Sequence, residues 1–212
     1  MRMVSCGNLS GIGKTGADVN KIEFRHVSKS FGEKAVLRDV NLSARSGENL
    51  VVIGRSGSGK SVMLKLMTGL LTADSGSVLV DGEDVALMGE GDLFRVRGKF
   101  GFLFQGAALL DSLTVGENVG LGLAERSRLS KGEIARIVAE KLAMVGMSGI
   151  EGHMPADLSG GMKKRVGLAR AIAMDPEIVL YDEPTTGLDP VMADAINELI
   201  IRLNKTLGIT SV

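Results

Sequence analysis

Residues 54–61 read Gly-Arg-Ser-Gly-Ser-Gly-Lys-Ser, and no other stretch of the chain restricts its fold as severely. The pattern is G-x-x-x-x-G-K-[ST], a loop whose backbone N–H groups turn inward to hold phosphate oxygens. Its glycines have a steric task, because a Cβ would keep the main chain from curling closely around an anion. Such a loop works between a strand, which fixes its entry, and a helix, whose N-terminus adds its positive dipole end. Both flanks are present: Asn49 to Ile53 predicts a buried strand, and Met63, Leu64, Met67 and Leu70 or Leu71 recur at helical spacing. In this arrangement Gly54, Arg55, Ser56, Gly57, Ser58 and Gly59 wrap a phosphate tail. Lys60 then reaches the β- and γ-phosphates, and the Ser61 hydroxyl coordinates Mg²⁺. The plainer alternative, a Gly/Ser turn before a helix, does not require this complete spacing between those flanks. A partial copy lies upstream at Gly11 to Thr15, but Asn8 stands where its first glycine belongs and no apolar strand precedes it. It is read as the composition of a leader.

Around this loop the chain alternates strands and helices. Residues 1–20 contain Gly and Ser, lack an apolar signal core, and read as a flexible leader; one domain is expected over 21–212. Ile22, Phe24 and Val27 predict a first strand, and Ala35 to Ser43 a second. Further strands are expected at Ser77–Val80, before a turn at Asp81-Gly82, and at Phe100–Phe104. From about 105 to 158 the pattern turns helical. Its best helix starts at Ser130, with Glu133 completing a capping box and Ile134, Ile137, Val138, Leu142 and Val145 on one face. Later helices carry Met162, Val166, Ala169 and Ala173, then Ile196, Leu199, Ile200 and Leu203, with the strand Ile178–Tyr181 between them. The rhythm predicts an α/β fold with a parallel-sheet core, preceded by antiparallel strands and interrupted by an inserted helical subdomain.

Composition narrows the function. With 25 basic and 25 acidic residues the chain has no net charge, which argues against a dedicated nucleic-acid binder. A single cysteine, Cys6, excludes an internal disulfide and fits a reducing compartment. No apolar run approaches the roughly 20 residues of a membrane span. Any membrane role is therefore expected from the cytoplasmic side, through a partner.

Ile178 to Tyr181 ends in Asp182-Glu183. In a parallel α/β sheet a strand delivers its terminal residues to the edge where ligands bind. Asp182 then holds Mg²⁺, directly or through water, and Glu183 polarises the attacking water as general base. Alone, the pair would more simply be an acidic strand end before a Pro184 turn; Lys60 in the same chain favours the metal-and-base reading. Leu158-Ser-Gly-Gly-Met162 opens the preceding helix with a hydroxyl and two residues lacking Cβ, again anion-binding chemistry, although Ser159 by itself reads equally as an N-cap.

Together these segments resemble the ATP-binding cassette (ABC) superfamily of P-loop, RecA-like NTPases, from about residue 21 to the end. Phosphate loop, signature and acidic strand stand in the family's order; Gln105 matches its Q-loop and Gly187-Leu-Asp189 its D-loop. The resemblance implies two cassettes packed head to tail, with ATP between the phosphate loop of one and Ser159, Gly160 and Gly161 of the other. It further implies Gln105 touching Mg²⁺, Asp189 arranging the cross-dimer site, and Phe31 stacking on adenine, where a core aromatic is the plainer reading. Segments such as Gly57 to Leu66, Phe104 to Val115 and Leu158 to Val166 are similar to the ATPase of Mla-type phospholipid transporters. That likeness implies a peripheral ATPase on the cytoplasmic face of the inner membrane. Its partners would be a permease and, in addition, periplasmic lipid-binding and small accessory subunits. Gly106, Gly116, Gly120 and Gly122 fall where the permease would be met.

The family also closes its site with a switch histidine after one further strand. Gly208 to Val212 reads as that strand's beginning, and neither His26 nor His153 takes the histidine's place. The expectation is an incomplete cassette that binds nucleotide and hydrolyses it poorly. A soluble cassette of cluster assembly is the competing function. An inactive regulatory cassette is disfavoured by Lys60 and Glu183.

Overall fold

In the computed structural model, which describes residues 2–6 and 20–212, four strands precede the first helix, and strands and helices are interspersed thereafter. They run β1 (Arg2–Cys6), β2 (Asn20–Phe31), β3 (Lys34–Arg45), β4 (Asn49–Ile53), α1 (Lys60–Met67), β5 (Ser75–Val80), β6 (Glu83–Asp84) and α2 (Glu90–Arg97). Then follow β7 (Phe100–Leu103), α3 (Val115–Arg126), α4 (Lys131–Met144), α5 (Gly160–Ala171), β8 (Ile178–Tyr181), α6 (Pro190–Leu207) and β9 (Thr210–Ser211). The residues form two units, Met1–Phe100 with Gly208–Val212, and Gly101–Leu207.

In the first unit β2 lies between β3 and β5, antiparallel to both, with Phe24 opposite Leu42 on one side and Val78 on the other. Ile22, Phe24 and Val27 are all buried, yet a strand alternates faces every residue, so a spacing of two and then three cannot hold without an irregularity. The extra residue is His26, at φ 52°, where the β2 register shifts. Such a bulge returns Val27 to the core face. Asp81 and Gly82, at φ 52° and 80°, make the expected tight turn from β5 to β6.

The phosphate-loop strand β4 pairs in parallel with β9 through Asn49 and Ser211, as the reading of Gly208–Val212 as a strand start anticipates. On its other edge β4 pairs antiparallel with β1, from Arg2 opposite Ile53 to Cys6 opposite Asn49. Residues 2–6 were expected in the flexible leader, and their backbone instead completes a ladder. The leader's residues 7–19, including the Gly11–Thr15 copy, lie outside the described residues. Leu50 is buried as expected, whereas Val51 and Ile53, on the opposite face of β4, are exposed.

The helix after the loop ends at Gly69, φ 64°, whose N–H donates to Leu66 O (3.1 Å) while that of Leu70 donates to Lys65 O (2.9 Å). This double closure is a Schellman stop, and it turns Leu70 off the buried face of Met63, Leu64 and Met67. Arg97 of α2 donates to the free carbonyls of Thr68 and Gly69, both at 2.9 Å. Hydrophobic spacing does not reveal α2, because it buries Val96 alone and exposes Phe94. Its sequence signal is electrostatic: Glu90 and Asp92 in the first turn and Arg95 and Arg97 in the last complement the helix dipole.

The second unit places β8 beside β7, with the Asp182 N–H donating to Leu103 O at 2.9 Å. Helices α3, α4 and α5 pack on one another, and α5 packs on α6. Ser130 and Glu133 form the expected capping box on α4, and Thr114 and Glu117 form a second on α3. Gly116, Gly120 and Gly122 sit where a Cβ would press on Glu151 O (3.1 Å), Ile134 and Val138 (3.1 and 3.2 Å), and Met174 (3.3 Å). They let neighbouring segments of this unit approach closely. Helix α5 is buried on several sides, through Val166, Leu168, Ala169 and Ala171. A Cβ on Gly101 of β7 would overlap the carbonyl oxygen of Ala171, so strand and helix meet backbone to backbone there.

Gly101→Ala must therefore move main chain, and a loss of about 3 kcal/mol is expected in urea unfolding. Gly132→Ala meets open space in the first turn of α4 and is expected to raise stability by about 0.5 kcal/mol in the same measurement.

Candidate phosphate-binding loop and catalytic carboxylate

Between β4 and α1 the loop has the shape its glycines predict. Gly57 (φ 75°) and Gly59 (φ 99°) take left-handed backbone. Gly59 is also pinned from outside, since a Cβ would stand 2.8 Å from Leu37 and 2.9 Å from Val36 on β3. It precedes α1 with no side-chain cap, so the helix presents its first N–H groups uncovered by its own N-cap residue. Lys60 folds back over the loop, its ammonium donating to Gly54 O (3.0 Å) and Arg55 O (3.2 Å). The Ser58 hydroxyl is buried and has no protein partner. A buried polar atom without a hydrogen bond is costly, so the loop is built for a polar guest. These features fit a phosphate chain.

Phe31, at the β2–β3 turn, is not a core aromatic. It is 48% exposed, and the Lys29 ammonium stands 5.6 Å from its ring centroid. Lys29 is itself held by Asp74 at 2.6 Å, and that hydrogen bond keeps the Asp74 carboxyl below the usual carboxylate range, assisted by the Ser30 N–H.

In the second unit Glu183 directly follows β8 and holds φ 47°, a strained backbone for a glutamate. The Gln105 amide donates to Glu183 Oε2 at 3.2 Å, and the Thr186 hydroxyl to the same oxygen at 3.1 Å. Sequence motifs separated by 78 positions thus meet side chain to side chain. Thr186 escapes the sequence reading because it lies in a turn that carries no spacing rule. So does Lys164, whose ammonium donates to the main-chain carbonyls of Gln105 and Glu183 (3.4 Å to the latter). Burial pushes the Lys164 ammonium's pKa down, against the opposing pull of the Asp182 and Glu183 carboxylates.

The signature residues open α5 as expected. Ser159 Oγ accepts the Met162 N–H at 3.3 Å, the N-cap reading in literal form. Gly160 is exposed, whereas the space a Cβ of Gly161 would fill is taken by the Met192 methyl of α6. Gly161 therefore serves packing within the unit. Asp189 is likewise engaged locally, capping α6 by accepting the Met192 N–H at 3.0 Å with Pro190 in the first helical position.

Among the described residues no group of three or more His, Cys, Asp or Glu side chains could hold a metal. Magnesium bound with a nucleotide takes much of its shell from phosphates and water, and few protein oxygens are required. Ser61 in the first unit, and Asp182 and Gln105 in the second, each carry a hard oxygen of the kind that ion takes.

A sequence profile described as ABC transporter matches residues 37–186. Protein TRIGALACTOSYLDIACYLGLYCEROL 3, chloroplastic, of Arabidopsis thaliana is 48% identical over 193 residues, which cover 87% of this chain and 55% of that protein. The intermembrane phospholipid transport system ATP-binding protein MlaF of Haemophilus influenzae is 39% identical, covering 91% of this chain and 73% of its own length. The chain spans about half the length of several of the curated relatives it matches. Among solved structures, the dimeric post-hydrolysis state of the ATP-binding cassette MJ0796, bound to ADP and Pi, superimposes with a TM-score of 0.80 at 36% identity. That match covers 90% of this chain and 86% of the cassette. With the phosphate loop, the signature helix and the acidic strand in one order and one fold, the chain belongs to the ABC transporter family of P-loop NTPases.

Proposed function

We propose that this chain is the ATP-binding and hydrolysing subunit of an ABC transporter that moves phospholipid, working as a head-to-tail pair of cassettes against a membrane permease. The observation that carries the reading is the loop at 54–61, with its uncapped helix start, its lysine folded across it and its orphaned Ser58 hydroxyl. Residues 21–212 act as the cassette and about 105–158 as its helical subdomain. Lipid cargo is supported by the similarity to MlaF, named for intermembrane phospholipid transport. No helix among the described residues is long and apolar enough to cross a membrane. On the similarity to MlaF the chain acts at the cytoplasmic face of the inner membrane, through the permease and, beyond it, periplasmic lipid-binding and accessory subunits. Cluster assembly draws no support from these relatives.

In the proposed mechanism, residues 54–61 hold the triphosphate tail through backbone N–H groups, and Lys60 leaves its two carbonyls to meet the β- and γ-phosphates. Phe31 stacks on the adenine. Ser61, Asp182 and Gln105 would hold Mg²⁺, whose charge would offset that of the phosphates. Glu183 takes the proton of the attacking water, oriented by Gln105 and Thr186 through the carboxylate oxygen they share. In the partner copy, Ser159 and Gly160 face the γ-phosphate and Asp189 orders the junction. Glycine at 161 supports this indirectly, by letting α6 pack under the signature turn.

In the full chain, Glu183→Gln is expected to keep ATP affinity within about twofold while phosphate release falls on the order of 10²-fold or more. ATP should then accumulate a dimer visible by light scattering; turnover near the parent rate would remove Glu183 from the role of base. Lys60→Ala is expected to weaken ATP binding about tenfold or more in equilibrium titration, corresponding to one lost charge-assisted contact. Co-purification with a polytopic membrane protein after mild solubilisation tests the transporter assignment; a solely soluble complex would refute it.

A further inference from the structure

We infer that Lys164 is a positioning residue for hydrolysis, holding the Gln105 and Glu183 main chains together so that amide and carboxylate stay in register around the attacking water. The inference rests on the assignment of Gln105 and Glu183 proposed above. Its own basis is geometric. The Lys164 ammonium donates to the carbonyl oxygens of these two residues, whose side chains meet at 3.2 Å. One cation therefore bridges the end of β7 and the end of β8 at the two positions where chemistry is expected.

A structural role explains the lysine poorly. It is only 4% exposed, and a buried ammonium carries a large desolvation penalty that an apolar side chain of similar length would avoid. The loop after β7 also has other anchors. Arg170 donates to Ala107 O (2.6 Å) and Ala108 O (2.7 Å), which follow one another in left-handed backbone. The fully buried Asn118 donates to Leu110 O, Leu113 O and Thr114 O and accepts the Leu110 N–H. Loss of Lys164 would leave that loop tied from 107 to 114 and release the Gln105 end alone. Glu183 has the corresponding weakness. Its backbone is strained at φ 47°, and strain persists only where neighbours over-determine it. A charge-assisted bond to its carbonyl is one such determinant. The Asp182 and Glu183 carboxylates in turn favour the charged form of the ammonium.

The position on α5 adds a consequence. Lys164 lies little more than one turn from Ser159, on the same short helix. Whatever seats the signature turn also seats the ammonium that holds Gln105 and Glu183.

The test compares Lys164→Met, Lys164→Gln and Lys164→Arg in the full chain, with Glu183→Gln as control, by steady-state phosphate release, equilibrium ATP titration and thermal unfolding. Met and Gln variants are expected to lower kcat on the order of 10- to 100-fold, with ATP affinity and KM within about threefold of the parent, because misplacement of a reacting group costs rate before it costs binding. Arg, which keeps a charged donor, is expected to recover kcat to within about fivefold. Parent-like kcat in whichever of the Met and Gln variants folds would overturn the inference. So would an Arg variant as slow as Met, or equal losses of kcat and ATP affinity. Should Glu183→Gln retain turnover, the assignment of the base fails instead, and the two failures are distinguished.

Discussion

A phosphate tail held by main-chain N–H groups demands that the chain approach an anion more closely than any Cβ allows. That steric demand organises the first unit. Gly57 and Gly59 take backbone conformations that suit glycine, and Gly59 is wedged against Val36 and Leu37 so that the loop cannot relax outward. The antiparallel strands thus brace the loop at Gly59, in addition to its own hydrogen bonds. Within the loop Ser58 N–H donates to Arg55 O (3.1 Å), while the lysine spans the carbonyls of Gly54 and Arg55. An incoming phosphate can take over that lysine without dismantling the fold.

The second unit solves another problem, that of keeping the proposed general base, Glu183, aimed while its backbone is strained. Glu183 leaves a buried strand at positive φ, and its side chain is met from two sides by Gln105 and Thr186. Donors on α5 and α3, namely the buried Lys164 and Asn118 and the half-buried Arg170, hold the flanking main chain through carbonyl oxygens. Polar groups inside a domain are worth their desolvation only when fully partnered, and here the partners are the backbone of the loop that carries Gln105. Strands and helices thus hold the side chains proposed to react, the arrangement expected where small displacements are costly in rate.

Much of this was legible in the sequence. The boundaries of β4 and β8, the turn at Asp81-Gly82 and the capping box at Ser130 rest on short-range rules that tertiary structure seldom overrides. Helix α2 was not legible, because a helix that buries one residue leaves no hydrophobic period. Nor was Lys164: beside a stripe of Met162, Val166 and Ala169 a lysine reads as the solvated face, and only the closure of β7 and β8 over α5 puts it inside. Gly161 and Asp189 were legible as residues of interest, yet their contacts in the structure are local, with Met192 and the start of α6. Pattern locates residues that matter, whereas the partner each one meets is settled by packing at long range. The exposed face of β4 and the strand at residues 2–6 belong to the same class of facts, set by pairing that no local rule encodes.

The central claim is that this protein reads its ligand by the phosphate tail. Thermal unfolding of the full chain in the presence of magnesium, with ATP and with AMP at equal concentration, tests it most directly. The account predicts a midpoint raised by several degrees with ATP and unmoved by AMP, since only the longer tail reaches the lysine and the start of α1. Equal stabilisation by both nucleotides, or by neither, would contradict it.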